Sequence, residues 1–140
     1  IIACLVGSEM CIRDRYDNKE ITLADIPGLI EGAHTGVGLG IKFLKHVERC
    51  KTLLHLIDVS EEDLVNSYKQ IRKELGEYSK ELLKKKEIIV LNKVDLLSRK
   101  DLKNKKIKFE EKLNKKVIQL STFDKKLISN LKIKLLKNVS

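Results

Sequence analysis

Three short stretches of this 140-residue chain carry side chains whose types and spacing suit chemistry. Asn92-Lys93-Val94-Asp95 sets an amide, an ammonium and a carboxylate within four residues. A carboxylate accepts two parallel hydrogen bonds, so Asp95 can hold a planar ligand with two adjacent N–H donors and reject one without them. Asn92 can both donate and accept. The Lys93 stem is apolar enough to lie across a ring while its ammonium stays in water. Asp25-Ile26-Pro27-Gly28 puts a carboxylate three residues before a glycine, and only glycine lets backbone approach a ligand closely. Ser121-Thr122 is the third stretch.

These residues need strand ends to present them, and the sequence supplies strands. Glu20–Ala24 runs into Asp25. Thr52–Ile57 is a continuous apolar run that ends at Asp58, Glu87–Leu91 another that ends at Asn92, and Val117–Leu120 ends at Ser121. Unbroken apolar runs are the mark of strands buried on both faces. Between them lie helical patterns. Leu64, Tyr68, Ile71, Leu75 and Tyr78 recur at spacings of four and three; Asp101–Leu113 is a lysine-rich helix; Leu127, Leu131 and Leu135 recur in Asp124–Lys137. Ser60 followed by Asp63 reads as a weak capping box. Phe43, Leu44 and Val47 give Ile41–Cys50 a helical face. Gly32–Gly40, with Gly32, Gly36, Gly38 and Gly40, reads as a loop. Strands alternating with helices predict an α/β fold with a mostly parallel sheet flanked by helices. Ligands of such sheets bind beyond the carboxyl ends of the strands, where Asp25, Asp58, Asn92 and Ser121 stand.

Asn92-Lys93-Val94-Asp95 matches the N-K-x-D guanine-specificity motif of GTPases, and Asp25-Ile26-Pro27-Gly28 matches their D-x-x-G motif. The segment Ala24–Asp58, ADIPGLIEGAHTGVGLGIKFLKHVERCKTLLHLID, resembles the Obg family of GTPases almost without a gap, and a weaker resemblance covers nearly all of residues 16–140. The resemblance implies a partial P-loop nucleotide-hydrolase domain of the translation-factor class. It implies GTP or GDP and Mg2+ as cofactors, and the large ribosomal subunit or its RNA as partner. Asp95 would accept from the N1–H and exocyclic amine of guanine, a pair adenine lacks. Asn92 would meet the N7 and O6 edge, Lys93 would cross the base, and the Ser121-Thr122 backbone would reach O6, although Thr122 stands where the family carries Ala. Asp25 would hold the magnesium ion, and the Gly28 amide would face the γ-phosphate; these two are the catalytic expectations. Leu29 occupies the position where many GTPases carry a water-orienting Gln, which implies slow catalysis.

Other expected parts do not occur in these 140 residues. There is no G-x-x-x-x-G-K-[ST], the loop whose backbone and lysine cradle the phosphates. The threonine-bearing first switch and the family's glycine-rich amino-terminal domain are also missing. Cys4–Arg15 (CLVGSEMCIRDR) shows neither alternation nor helical period. It resembles a translated sequencing-library adapter, Val6–Asp14 fitting GTG-GGC-TCG-GAG-ATG-TGT-ATA-AGA-GAC in one frame. Residues 1–15 are therefore expected to be non-native, and 16–140 to be a partial GTPase domain without phosphate loop or first switch. Within this reading, Ile2–Val6 is apolar enough to fill the empty place between the first two natural strands.

A formal net charge of +9, with lysine concentrated after Tyr78, fits attraction to a polyanion, but also fits the lysine-rich bias of AT-rich codons. Cys4, Cys11 and Cys50 have no metal-ligand spacing, and an odd count argues against a disulfide framework. His34, His46 and His55 have no ligand spacing either; His55, in mid-strand, is expected to be packed. Gly36-Val37-Gly38-Leu39-Gly40 lacks the spacing of a dinucleotide fingerprint. No apolar run reaches the roughly 18 residues of a membrane span and no signal peptide is recognisable, so a cytoplasmic location is expected. The leading expectation is a GTP-binding and GTP-hydrolysing domain of a ribosome-associated GTPase, inactive as this chain stands. The alternatives are a non-catalytic basic module for ribosome or RNA binding, and an artefactual gene fragment.

Overall fold

The structure, a computed structural model, describes residues 2–5, 12–16, 19–25 and 50–139. The expected loop Gly32–Gly40, nearly all of the helix over Ile41–Cys50, Gly28, Leu29, His34 and His46 lie outside the described residues.

Six strands form one sheet in the order β2-β3-β1-β4-β5-β6. They are β1 (Ile2–Leu5), β2 (Ile12–Tyr16), β3 (Lys19–Asp25), β4 (Thr52–Asp58), β5 (Lys86–Asn92) and β6 (Val117–Gln119). The four strands expected from apolar runs are all present, displaced by a residue or so at their ends. β4 pairs in parallel with β5, and β5 with β6. β1 pairs antiparallel with both β3 and β4, and β2 antiparallel with β3. Hence β3 to β6 all run one way, while β1 and β2 run the other. Ile2–Leu5 does fill the place between β3 and β4, but in reverse sense. Leu5 pairs with Thr52 at the start of β4, and Ile2 with His55. The chain leaving β1 therefore departs from the end of the sheet opposite Asp58, Asn92 and Ser121.

Helices cover both faces of the parallel half. They are α1 (Leu64–Tyr78), the single turn α2 (Lys80–Leu83), α3 (Arg99–Leu113) and α4 (Lys125–Val139). Side chains alternate along β5. Ile89 and Leu91 join Ile57, Leu64, Tyr68, Phe109 and Val117 on one face; Ile88 and Val90 join Leu54, Leu131 and Leu135 on the other. Two apolar faces explain the unbroken apolar run, because each successive residue has a core to enter. Each fully buried aliphatic side chain contributes about 1.5–3 kcal/mol.

Local capping departs from the sequence reading in one place. Asp63, not Ser60, caps α1, its Oδ1 accepting from the Asn66 amide at 3.0 Å. Ser60 turns back instead to Asp58. Its amide and hydroxyl reach that carboxylate two residues away at 2.9 and 2.6 Å, so Ser60 is committed before the helix begins. Ser98 caps α3 through Asp101 N, and Asp124 accepts from the Lys126 and Leu127 amides at the start of α4. Cys50 is buried and disulfide-bonded.

Candidate functional site

Three adjacent parallel strands end together, and their register fixes what their ends present. Asp58 is opposite Asn92, and Gln119, opposite Leu91, is followed by Leu120 and Ser121. Backbone hydrogen bonds carry the alignment past the strands. Val59 N donates to Asn92 O at 3.1 Å, Leu120 N to Leu91 O at 2.8 Å, and Val94 N to Leu120 O at 3.2 Å. The turns after β4, β5 and β6 thus form one surface.

Lys93 turns the chain at the end of β5 with φ 62°, in the left-handed region. That conformation costs a non-glycine residue about 1–2 kcal/mol. The turn leads into a 3₁₀ turn over Val94–Leu96, with Leu96 N donating to Lys93 O at 3.0 Å. Val94 is buried beneath it, which leaves Lys93 and Asp95 exposed on the outside.

Ser121 is buried, and its hydroxyl donates to Asp95 Oδ1 at 2.8 Å. The same hydroxyl accepts from Phe123 N at 3.3 Å. The Asp95 carboxylate is therefore oriented by a residue 26 positions away. Thr122 is exposed in the turn between β6 and α4. Asn92 Oδ1 is buried and finds no hydrogen-bond partner among the described residues. The structure thus brings Asn92, Lys93, Asp95, Ser121 and Thr122 to one end of the parallel strands. Of the other expected pair, the Asp25 backbone ends β3, and its side chain and all of Gly28 are outside the described residues.

The sequence reading placed Asp58 at the ligand end of the strands but assigned it to no motif. In the structure Lys93 Nζ donates to Asp58 Oδ2 at 3.0 Å, while Ser60 holds Oδ1. The Ser60 hydroxyl, the Ser60 amide and the Lys93 ammonium lower the Asp58 carboxyl from its ordinary 3.8 to about 2. Lys105 on α3 fixes the same turn, donating to Val59 O and Glu61 O at 2.9 Å each. The only trace of this arrangement in the sequence is the acid that closes an apolar strand. A cleft of about 290 Å³ opens beside this group, lined in part by Asp58, Glu61, Asn92 and Lys93; Asp95 and Ser121 lie off it, toward β6.

A second polar group lies deeper, at the start of β5. Glu87 accepts from Tyr68 OH at 2.7 Å, and His55 Nδ1 lies 3.2 Å from its other oxygen. Arg72 and Lys115 add charge at 3.7 and 3.6 Å. Burial raises the Glu87 carboxyl, but the His55 and Tyr68 hydrogen bonds and the Arg72 charge outweigh it, and the net shift is downward. The Tyr68 phenol is raised by burial and by Glu87. His55 stacks on Tyr68 at 5.1 Å and is almost fully buried, so it is a packed histidine as its position in mid-strand suggested. Among the described residues no cluster of His, Cys, Asp or Glu could hold a metal ion, and no helix is long and apolar enough to cross a membrane.

Comparison with known proteins bears on the same residues. The chain matches the family described as 50S ribosome-binding GTPase over residues 9–93. It is 64% identical over 125 residues to the GTPase Obg of Pelagibacter ubique (strain HTCC1062), covering 89% of this chain and 38% of that protein. It is 55% identical over 108 residues to the GTPase Obg of Ehrlichia chaffeensis, covering 77% and 32%. The GTPase Obg of Rickettsia akari is 50% identical over 125 residues, covering 87% and 38%. The chain spans about a third of the length of these curated relatives. The family match covers residues 9–93, well over half of the chain and as far as Lys93, and the Obg relatives align over most of it: this chain belongs to the 50S ribosome-binding GTPases and, within them, to the Obg GTPases.

Proposed function

We propose that this chain carries the guanine-recognising part of a GTP-binding domain, and that the whole protein is a magnesium-dependent GTPase working on the large ribosomal subunit in the cytoplasm. The observation that carries the reading is the Asp95 carboxylate held by Ser121 at 2.8 Å beside Asn92 and Lys93. A carboxylate so oriented can accept the N1–H and exocyclic amine of guanine together. The Lys93 stem would cover the base, and the Ser121-Thr122 backbone would meet O6.

Asp25 would hold the magnesium ion and Gly28 would face the γ-phosphate; both assignments rest on the family's D-x-x-G motif. The printed description of the family and a net charge of +9 support a ribosomal partner. We further propose that the natural sequence within this chain starts at Tyr16, as part of a longer domain. The 125 residues aligned with the Pelagibacter protein equal the length from Tyr16 to Ser140, although the family match itself begins at residue 9. Resequencing the locus upstream of Tyr16 tests that boundary.

The binding test is competition against a fluorescent guanine nucleotide on the purified chain. GDP and guanosine are expected to compete, and ADP and adenosine to fail at concentrations roughly 100-fold higher, since each hydrogen bond to a charged group contributes about 1.5–3 kcal/mol. Equal competition by ADP would overturn the reading.

A further inference from the structure

Lys93 is the least constrained part of the proposed pocket. Its side chain is long, about half exposed, and mounted on a left-handed turn. A free lysine of this kind samples many rotamers, and ordering it against a ligand costs about 0.5–1.5 kcal/mol. The structure supplies a partner that removes much of that freedom. Asp58, the last residue of β4, faces Asn92 in the parallel register and sits within ion-pair distance of Lys93 Nζ.

Asp58 is itself immobilised. The Ser60 amide and hydroxyl both donate to Oδ1, which leaves Oδ2 turned toward Lys93 at 3.0 Å. The turn carrying Ser60 is tied to α3 by the two Lys105 hydrogen bonds, and Val59 N is tied to Asn92 O. An exposed ion pair contributes little to stability, about 0–1 kcal/mol. Here one partner is fixed by three independent anchors, so the pair restricts where the other can go. A lysine tethered at its ammonium has its four-carbon stem held between the end of β5 and the end of β4.

We propose that Asp58 is a positioning residue for guanine recognition: it holds the Lys93 ammonium so that the stem is already in place when the base arrives. The inference rests on the guanine pocket proposed above and adds to it a residue outside the N-K-x-D motif. Asp58 does not touch the base. It acts through Lys93, with Ser60 and Lys105 setting its own orientation.

Asp58→Asn separates the two functions of the carboxylate. The amide oxygen still accepts from Ser60, while the charge that holds Lys93 is gone. The experiment is a double-mutant cycle of Asp58→Asn and Lys93→Met on the 140-residue chain, read as the Kd for GDP and for guanosine by competition with a fluorescent guanine nucleotide. Thermal melting of each variant checks the fold. Asp58→Asn is expected to weaken both ligands alike, by about threefold to tenfold. In the Lys93→Met background the same change is expected to have no effect. A loss of equal size in both backgrounds, or unaltered binding by Asp58→Asn alone, would overturn the inference while leaving the pocket in place. Absence of GDP binding by the unsubstituted chain would overturn the pocket reading and this inference with it. Should Asp58→Asn not fold, Ser60→Ala takes its place: it is expected to weaken guanosine binding only while Lys93 is present, and additivity with Lys93→Met would overturn the proposal.

Discussion

The hydroxyl of Ser121 donates to Asp95 Oδ1 at 2.8 Å across 26 residues of sequence. Neither residue belongs to a strand; each lies in a turn just beyond one. The contact exists because β5 and β6 are parallel neighbours in register and because Val94 N reaches back to Leu120 O. Sheet pairing thus orients a carboxylate that is exposed and would otherwise rotate freely.

Replacing Asp95 by Asn is expected to invert the preference for the base. An amide offers one acceptor and a pair of donors, so it no longer matches two N–H groups, but it can donate to a ring carbonyl where guanine carries its amine. Affinity for GDP should fall roughly 100-fold, and xanthosine diphosphate should bind more tightly than GDP. Competition binding with the two diphosphates checks this. An Asp95→Asn chain that still favours GDP would remove Asp95 from the pocket.

Glu87 should matter to folding and not to the nucleotide. Glu87→Ala leaves the buried His55 ring and the Tyr68 hydroxyl without their common hydrogen-bond partner and the Arg72 guanidinium without its counter-charge. Breaking a buried charged group in this way costs about 3–5 kcal/mol. Urea denaturation is the measurement. A change below about 1 kcal/mol would mean that the group is not coupled to the fold.

Acid should destabilise the domain over a defined window. Asp58 is lowered from 3.8 to about 2, and Glu87 lies below its ordinary 4.5. Because both folded-state values lie below the unfolded ones, the unfolded chain binds more protons. The stabilisation is complete above the unfolded values and is lost as pH falls through the folded ones. Melting temperature is therefore expected to decline from about pH 5 toward pH 2. Glu87→Gln and Asp58→Asn should each remove part of that decline. Superimposable profiles for all three proteins would contradict the assignment.

Phosphate release from GTP by this 140-residue chain is expected to be negligible. The sequence holds no G-x-x-x-x-G-K-[ST], and positioning of the β- and γ-phosphates supplies most of the rate in this enzyme class. The comparison is with a longer form that contains such a loop, assayed with GTP and magnesium. Equal turnover by both would show that the loop is dispensable.

What the sequence revealed depended on how local each cause is. β4 and β5 could be read because a strand buried on both faces leaves an unbroken apolar run, and TLLHLI and EIIVL are such runs. Asn92, Lys93 and Asp95 could be read because their spacing is local. The place of Asp58 in the group could not, because it depends on which strand lies beside β5 and in which register. Ser60 misled for a related reason: its hydroxyl can accept from an amide of the coming helix or donate to Asp58, and only the closed turn shows that it takes Asp58 and leaves the cap to Asp63. The Glu87 group joins residues from β4, α1, β5 and the turn before β6, with no sequence pattern of its own.

β1 has a consequence for how the sheet can be rebuilt. Only four residues, Ile2–Leu5, bridge β3 and β4, and they do so against the direction of both. Strands this short hold few ladder bonds. The place is thus filled by a strand of reverse sense, where an incoming peptide of the other sense would complete a parallel run, as donor-strand complementation does. A synthetic peptide that runs parallel to β4 and continues past His55 would bring its own trailing loop to the end of the sheet where Asp58 and Asn92 stand. The same place in the sheet that now directs the chain away from the pocket could then accept, from a separate molecule, a segment that leads into it.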